Sequence, residues 1–524
     1  MKRMKKIMAV LLAAIMTMAM AVTAFAAETV AATTGNTLTV NVKDGQNLNG
    51  QTINLYKLFD VTESGEGQNK NYAYTVNTQY KATLASVLNI AETSKDEEFA
   101  EAVTKLGVDN STEVQKFAND FTAKALTDNL SATTTSNKIT ESKISYDFTG
   151  LDAGYYLVYV TGGKEIQSSL VTVDADTTTV DLKTEAPSIE KTADKTTVNI
   201  GDVVKYTVKG SIPDTTGYNQ YVYKIHDELS TGLDFVNDEN GTALGEGATT
   251  VNVTVAFTDN TLTVGGTAPT TATLDSTNKK KMSLDLSEWV RANQTNKGKE
   301  FTVTYYAKVN ANAVVTEKNK AQLEYSNKPG ETTTTTPSEA KTPTYPLDIL
   351  KVKKDSDPEV ILADAHFTLY ASTTAGDIDE SKPIKVTKDA DGKYSYAADQ
   401  NAADATDDMV TVESKIDGQG YNLHINGLAA GTYYLKETKA PEGYNKLTKA
   451  IKVTITKSTT KDESEWTLAV ENGTVDGKIV KVVNSTGSLL PSTGGMGTIA
   501  FAVIAAILVL GVAVSFIRDK RKNA

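Results

Sequence analysis

The chain has 524 residues and a formal net charge of -12, carries no cysteine, and holds three histidines, His226, His366 and His424. The acidic balance argues against nucleic acid as a partner, and the lack of cysteine excludes disulfides as its means of stabilisation. Three histidines far apart in sequence leave little material for a histidine-metal site or a Ser-His-Asp triad, so neither a metal nor a cofactor is expected.

In chain order, Lys2, Arg3, Lys5 and Lys6 form a positive segment, an apolar run follows from Ile7 to about Val22, and Ala24-Phe25-Ala26 supplies a small-x-small cleavage pattern. Residues 1–26 therefore read as a secretory signal peptide. Beyond it, Thr, Val, Tyr and Gly dominate, and short alternating runs recur: Leu38-Thr39-Val40-Asn41-Val42, Phe301-Thr302-Val303-Thr304-Tyr305 and Ile451-Lys452-Val453-Thr454-Ile455. Period-two alternation predicts half-buried antiparallel strands, and its repetition between Gly/Asn/Asp turns predicts β-sandwich domains. From about Thr78 to Asn129 the period changes, because Leu84, Val87, Leu88, Phe99, Val103 and Leu106 recur at helical spacing. This predicts one or more helices inserted into the first domain.

The fold class is thus mainly β: tandem immunoglobulin-like sandwiches with a helical insertion in the first. Three domains are expected, over 27–183, 184–330 and 345–486, with Thr/Pro-rich residues 331–344 as a linker. The acidic stretch 399–408 reads as a solvated loop in preference to a calcium site. Leu490-Pro491-Ser492-Thr493-Gly494 follows the third domain, then an apolar stretch over about 498–517 and the basic residues Arg518, Lys520, Arg521 and Lys522. That stretch is long enough for a transmembrane helix, and the basic end would stay on the cytoplasmic side.

In this order, the C-terminal segments over 490–524 resemble a sortase-sorting signal of the LPxTG kind. The resemblance implies cleavage between Thr493 and Gly494. A sortase cysteine takes the Thr493 carbonyl as a thioester, and an amine then accepts the acyl group. Pro491 suits an extended peptide, and Gly494 permits close approach to the scissile bond.

Within the third domain, Tyr433-Tyr434-Leu435-Lys436-Glu437-Thr438-Lys439-Ala440-Pro441-Glu442-Gly443-Tyr444 resembles the E-box of CnaB-type domains in Gram-positive pilins. The segments Leu347 to Lys353, Ala365 to Tyr370 and Val480 to Asn484 resemble the opening and closing strands of the same domain. The resemblance implies an intramolecular isopeptide bond from a first-strand lysine to Asn484, assisted by Glu437 as a buried acid. Lys351 shares a strand face with Leu347 and Ile349; Lys353 lies on that face too and stays open as the alternate. Burial favours the neutral, nucleophilic amine and the protonated acid, and proximity in a folded core replaces an external catalyst.

The second domain opens with Ile189-Glu190-Lys191 and closes with Asn319 through Asn327, which resembles the CnaA-type middle domain of pilin shaft subunits. By that resemblance Lys191 is the amine, Asp227 the acid and Asn319 the acceptor, with Asn327 as runner-up. In the first domain Gly154-Tyr155-Tyr156-Leu157-Val158-Tyr159 aligns with Gly431 through Glu437 after a one-residue slip, and places Tyr159 where the third domain has Glu437. No isopeptide bond is expected there by this scheme. The family's subunit-linking lysine corresponds to Lys183, which here lacks the preceding Tyr-Pro pair; a solvated linker lysine is the competing reading.

The resemblance as a whole implies a major pilin of the shaft type. A pilus-type sortase would join Thr493 of each copy to a lysine, by position Lys183, of the next, in a head-to-tail fibre with minor pilins and a peptidoglycan anchor. Such a subunit is secreted, wall-anchored and adhesion-supporting. A monomeric or minor-pilin wall-anchored adhesin is the alternative. No paired-carboxylate motif, nucleophile elbow or metal-ligand cluster stands out, so an enzyme is not expected.

Overall fold

The computed structural model describes residues 35–43, 46–65, 71–107, 111–161, 163, 168–174, 178–182, 186–460, 462–486 and 496–522. The signal peptide (1–26), Lys183 and the motif Leu490–Gly494 lie outside the described residues. The architecture is mainly β, built as stacked sheets.

The first domain has three layers. A three-stranded sheet orders Ser145–Leu151, Asn36–Asn41 and Thr178–Asp181, and a larger sheet centres on Ile53–Ser64 and Gly154–Val160. Ile53 and Leu55 face the small sheet with Leu38, Val40 and Val158. Tyr56, Leu58 and Phe59 face the other way, towards three helices, Lys81–Leu88, Asp96–Thr104 and Thr112–Thr127. Local chemistry starts these helices where they start. Ser111 caps the third by accepting from Val114 N at 3.3 Å, and Glu98 reaches back to Lys95 N at 2.8 Å in a capping box. Tyr56, Tyr80 and Phe121 meet edge to face, with centroids 5.6 to 5.9 Å apart. These aromatic contacts join helix to sheet.

In the second domain, Val203–Ser211 pairs with Glu190–Ala193 on one side and Glu300–Val309 on the other. The facing sheet pairs Tyr223–Leu229 with Lys318–Lys328. Strict alternation along Glu300–Val309 drives Phe301, Val303, Tyr305, Ala307 and Val309 into the gap between the sheets. The stretch expected as a linker is different. Glu331–Thr334 and Ser338–Lys341 are strands, and both pair with Lys318–Lys328. Thr-rich composition marks a linker only when nothing offers it a ladder; here an open strand edge does.

The third domain places its opening strand Tyr345–Lys353 beside its closing strand Ile479–Asn484, in parallel. The opposite sheet pairs His366–Ser372 with Gly431–Lys439, and the latter with Ile451–Thr456. Ile200 N donates to Gly427 O at 3.0 Å and Ala429 N to Asn199 Oδ1 at 2.8 Å, so the second and third domains meet through backbone and an asparagine side chain, while Val198 N donates to Pro343 O at 3.1 Å in the stretch between them. Gly427 has a φ of +85°, and a Cβ there would meet the Ile200 side chain at 2.1 Å. That junction needs a glycine.

A helix spans Met496–Lys522. Its described apolar side chains are exposed, among them Ile504, Leu508, Val509, Leu510 and Ile517. Among the described residues no helix is long and apolar enough to cross a membrane. The span expected over 498–517 falls partly on side chains outside that set.

Candidate self-crosslinking sites

Burial singles out two lysines. Among the described residues, Lys191 and Lys351 are the lysines withdrawn from solvent, at 4% and 0% exposure. An isolated buried ammonium is costly, and each of these lies against a buried carboxyl group.

In the second domain Lys191 projects from one sheet, while Asp227 and Asn319 project from neighbouring strands of the other. Asp227 sits opposite Ala321 and Asn319 opposite Leu229, so the two are diagonal neighbours across one strand pair. Lys191 Nζ lies 2.5 Å from Asp227 Oδ2, and both side chains have no exposed surface. Lys191 Nζ is also 4.9 and 4.7 Å from the ring centroids of Tyr206 and Tyr305. Burial lowers the Lys191 amine and raises the Asp227 carboxyl, and Lys191, Tyr305 and Asn319 only partly offset the rise. Both shifts favour a neutral amine beside a protonated acid. Asp227 Oδ1 and Asn319 Oδ1 have no hydrogen-bond partner. One oxygen of the acid and the amide carbonyl it would polarise are therefore both free of hydrogen bonds.

Asn327 is buried as well, but its Nδ2 donates 2.7 Å to Gly50 O of the first domain. The geometry thus brings Asn319, and not Asn327, to the lysine. The sequence reading missed Tyr305, although its place in the alternating run Phe301 to Tyr305 marks it as core-facing.

The third-domain cluster is arranged differently. Lys351 and Asn484 lie on adjacent parallel strands of one sheet, and Glu437 reaches over from the facing sheet. Lys351 Nζ is 3.4 Å from Glu437 Oε1, Asn484 Nδ2 donates to Glu437 Oε2 at 3.0 Å, and Leu447 N donates to the same oxygen at 2.7 Å. Burial lowers the Lys351 amine to about 8 against the opposing pull of Glu437. Glu437 Oε1 and Asn484 Oδ1 lack partners, as their counterparts do in the second domain. Lys353, the alternate amine, is only half-buried.

In the first domain Tyr159 is buried, and no described lysine there is. Lys57 is held by Asp60 at 2.6 Å and Asp152 at 3.5 Å. Each histidine sits singly beside one carboxylate: His226 with Glu324, His366 with Asp408 and His424 with Asp348. Among the described residues no group of three or more His, Cys, Asp or Glu could hold a metal ion.

A comparison with curated proteins returns no match. Among solved structures, the chain is similar to the major pilin SpaA of Corynebacterium diphtheriae, with 16% identity, coverage of 86% of this chain and 100% of that one, and a TM-score of 0.41. It is similar to the full-length major pilin SpaD of the same organism at 17% identity, covering 86% and 98% of the two chains with a TM-score of 0.39. BcpA, the major pilin subunit of Bacillus cereus, matches at 14% identity over 87% and 99%, with a TM-score of 0.32. The family model of the SpaA prealbumin-like fold domain matches residues 348–468, a span that takes in Lys351 and Glu437 and ends before Asn484.

Proposed function

We propose that this protein is a structural backbone subunit of a covalently linked Gram-positive pilus, hardened by two self-made isopeptide bonds, Lys191 to Asn319 and Lys351 to Asn484. The observation that carries the reading is that the two buried lysines each face a buried acid and a buried asparagine with an uncommitted carbonyl. In each bond the neutral amine attacks the amide carbon with the acid, Asp227 or Glu437, assisting beside it, the amine gives up one proton, the amide nitrogen gains one, and ammonia leaves. The chemistry acts once on the chain itself, which makes the protein a structural element and not an enzyme.

The sequence Leu490-Pro491-Ser492-Thr493-Gly494 supports a pilus-type sortase as partner, with Thr493 as the acyl donor. Lys183 is the proposed acceptor in the next copy. It directly follows Leu182, which is buried and donates from its N to Asn41 O at 2.8 Å. A head-to-tail bond of this kind cannot close on itself and builds a filament. Minor pilins and peptidoglycan complete the proposed partners, and the location is the outside of the wall.

Intact mass and peptide mapping of the secreted chain test the first half: two ammonia losses are expected, and an unshifted mass sinks it. Wall extracts of cells carrying a pilus-type sortase test the second. A ladder of covalent multimers that Lys183→Ala abolishes is expected. A single anchored species would favour the monomeric adhesin.

A further inference from the structure

The second-domain cluster contains one group that the lysine–acid–asparagine scheme leaves idle. Tyr305 comes from Glu300–Val309, in the same sheet as Lys191, and its hydroxyl lies among all three reacting side chains. Lys191 Nζ donates to it, it donates to Asp227 Oδ2, and Asn319 Nδ2 donates to it at 3.2 Å. It thus touches both the nitrogen that would attack and the nitrogen that would leave.

We propose that Tyr305 is a catalytic residue of the second domain, its hydroxyl passing a proton from Lys191 Nζ to the departing Asn319 Nδ2. The proposal rests on the reading that Lys191 and Asn319 become joined. As the bond from Nζ to Asn319 Cγ forms and the bond from Cγ to Nδ2 breaks, Nζ gives up one proton and Nδ2 needs one to leave as ammonia. Tyr305 accepts the first and releases its own to the second, so it ends as it began. Asp227 meanwhile keeps its proton on the carbonyl oxygen.

The third domain shows why a relay is called for only in the second. There Glu437 itself lies 3.4 Å from the amine by one oxygen and accepts from Asn484 Nδ2 at 3.0 Å by the other. The carboxyl group spans both nitrogens. Aspartate is one methylene shorter, and in the second domain the amide nitrogen donates to the phenol at 3.2 Å. Burial and the neighbouring Asp227 hold the phenol well above its usual range, so it stays an O–H that can accept and donate together. Its ring is fixed by stacking on Tyr206 at 5.9 Å.

The test is the time course of both crosslinks in full-length chain made by pulsed cell-free synthesis, followed by peptide mapping. Tyr305→Phe keeps the ring and removes the hydroxyl. We expect closure of Lys191–Asn319 to slow by about 100-fold, while Lys351–Asn484 closes at the wild-type rate in the same molecules. Tyr221→Phe, which removes a buried hydroxyl of the same domain that makes no hydrogen bond, should leave both rates unchanged. Wild-type kinetics in Tyr305→Phe, or equal slowing by Tyr221→Phe, overturns the relay. Absence of the Lys191–Asn319 link from wild-type chain overturns the underlying reading instead. Should Tyr305→Phe fail to fold, a fluorinated tyrosine at position 305 keeps the shape and lowers the phenol's pKa. A shifted pH–rate profile for the second-domain bond then supports the relay, and an unshifted one overturns it.

Discussion

Lys351 Nζ and Glu437 Oε1 stand 3.4 Å apart with neither side chain touching water. A pair so placed tolerates the loss of neither member, because the survivor is left buried and uncompensated. Glu437→Gln should abolish the Lys351–Asn484 bond and leave Lys191–Asn319 intact. The third domain should lose about 5 kcal/mol, by the loop-closure argument used for disulfides. Peptide mapping and thermal unfolding check both halves, and a retained crosslink would show that the acid is not required.

The two candidate first-strand lysines separate cleanly. Lys351→Arg should remove one ammonia loss from the intact mass. Lys353→Arg, at a half-buried position, should leave the mass deficit unchanged. The opposite pattern would move the site by two residues.

Asn319 and Asn327 lie on the same strand but serve different partners. Asn319→Ala should prevent the second-domain bond. Asn327→Ala should leave the bond in place and weaken the junction with the first domain by about 1–3 kcal/mol, because Gly50 O loses its buried donor. Limited proteolysis at the junction reads the second effect, and mass spectrometry the first.

Holding the third domain unlinked exposes a pH dependence. In Asn484→Ala the Lys351 amine stays free, with a folded-state pKa lowered to about 8 from the ordinary 10.5. Between these values the unfolded chain binds more protons than the folded one, so stability rises as pH rises through that window. The gain is on the order of 3 kcal/mol by pH 10.5, and below pH 8 the curve loses this slope. Denaturant titrations from pH 7 to 10.5 measure it, and a flat or falling curve would contradict the burial argument.

How legible the protein was depended on what kind of interaction decides each feature. Period-two alternation is local, so the run from Phe301 to Tyr305 and the run from Ile451 to Ile455 appear in the structure as strands. The change of period after Thr78 likewise announced helices. The linker over 331–344 was misread because its strands exist only through pairing with Lys318–Lys328, which no local pattern encodes. Within the sites, the resemblance to pilin domains pointed to Lys191, Asp227, Asn319, Lys351, Glu437 and Asn484, which the fold gathers into two clusters. Tyr305 was not singled out, because a tyrosine in an alternating strand looks like packing until its hydroxyl is placed. The choice between Asn319 and Asn327 needed the same information. Both are buried, and only their partners tell them apart.

The pairing of residues 338–341 with 318–321 has a mechanical consequence. In the third domain the proposed bond would join the opening strand to the last residue of the closing strand, so tension along a fibre would pass from Lys351 to Asn484 and bypass everything between. In the second domain the shortcut ends at Asn319, and the pull must continue along the chain to Tyr345. Asn319 faces Ala340 across the ladder, so the pull would open this hairpin like a zipper, one rung at a time, once the bond from Thr342 N to Glu317 O at 2.9 Å gives way. A stretched fibre would therefore find its slack in the second domain and none in the third.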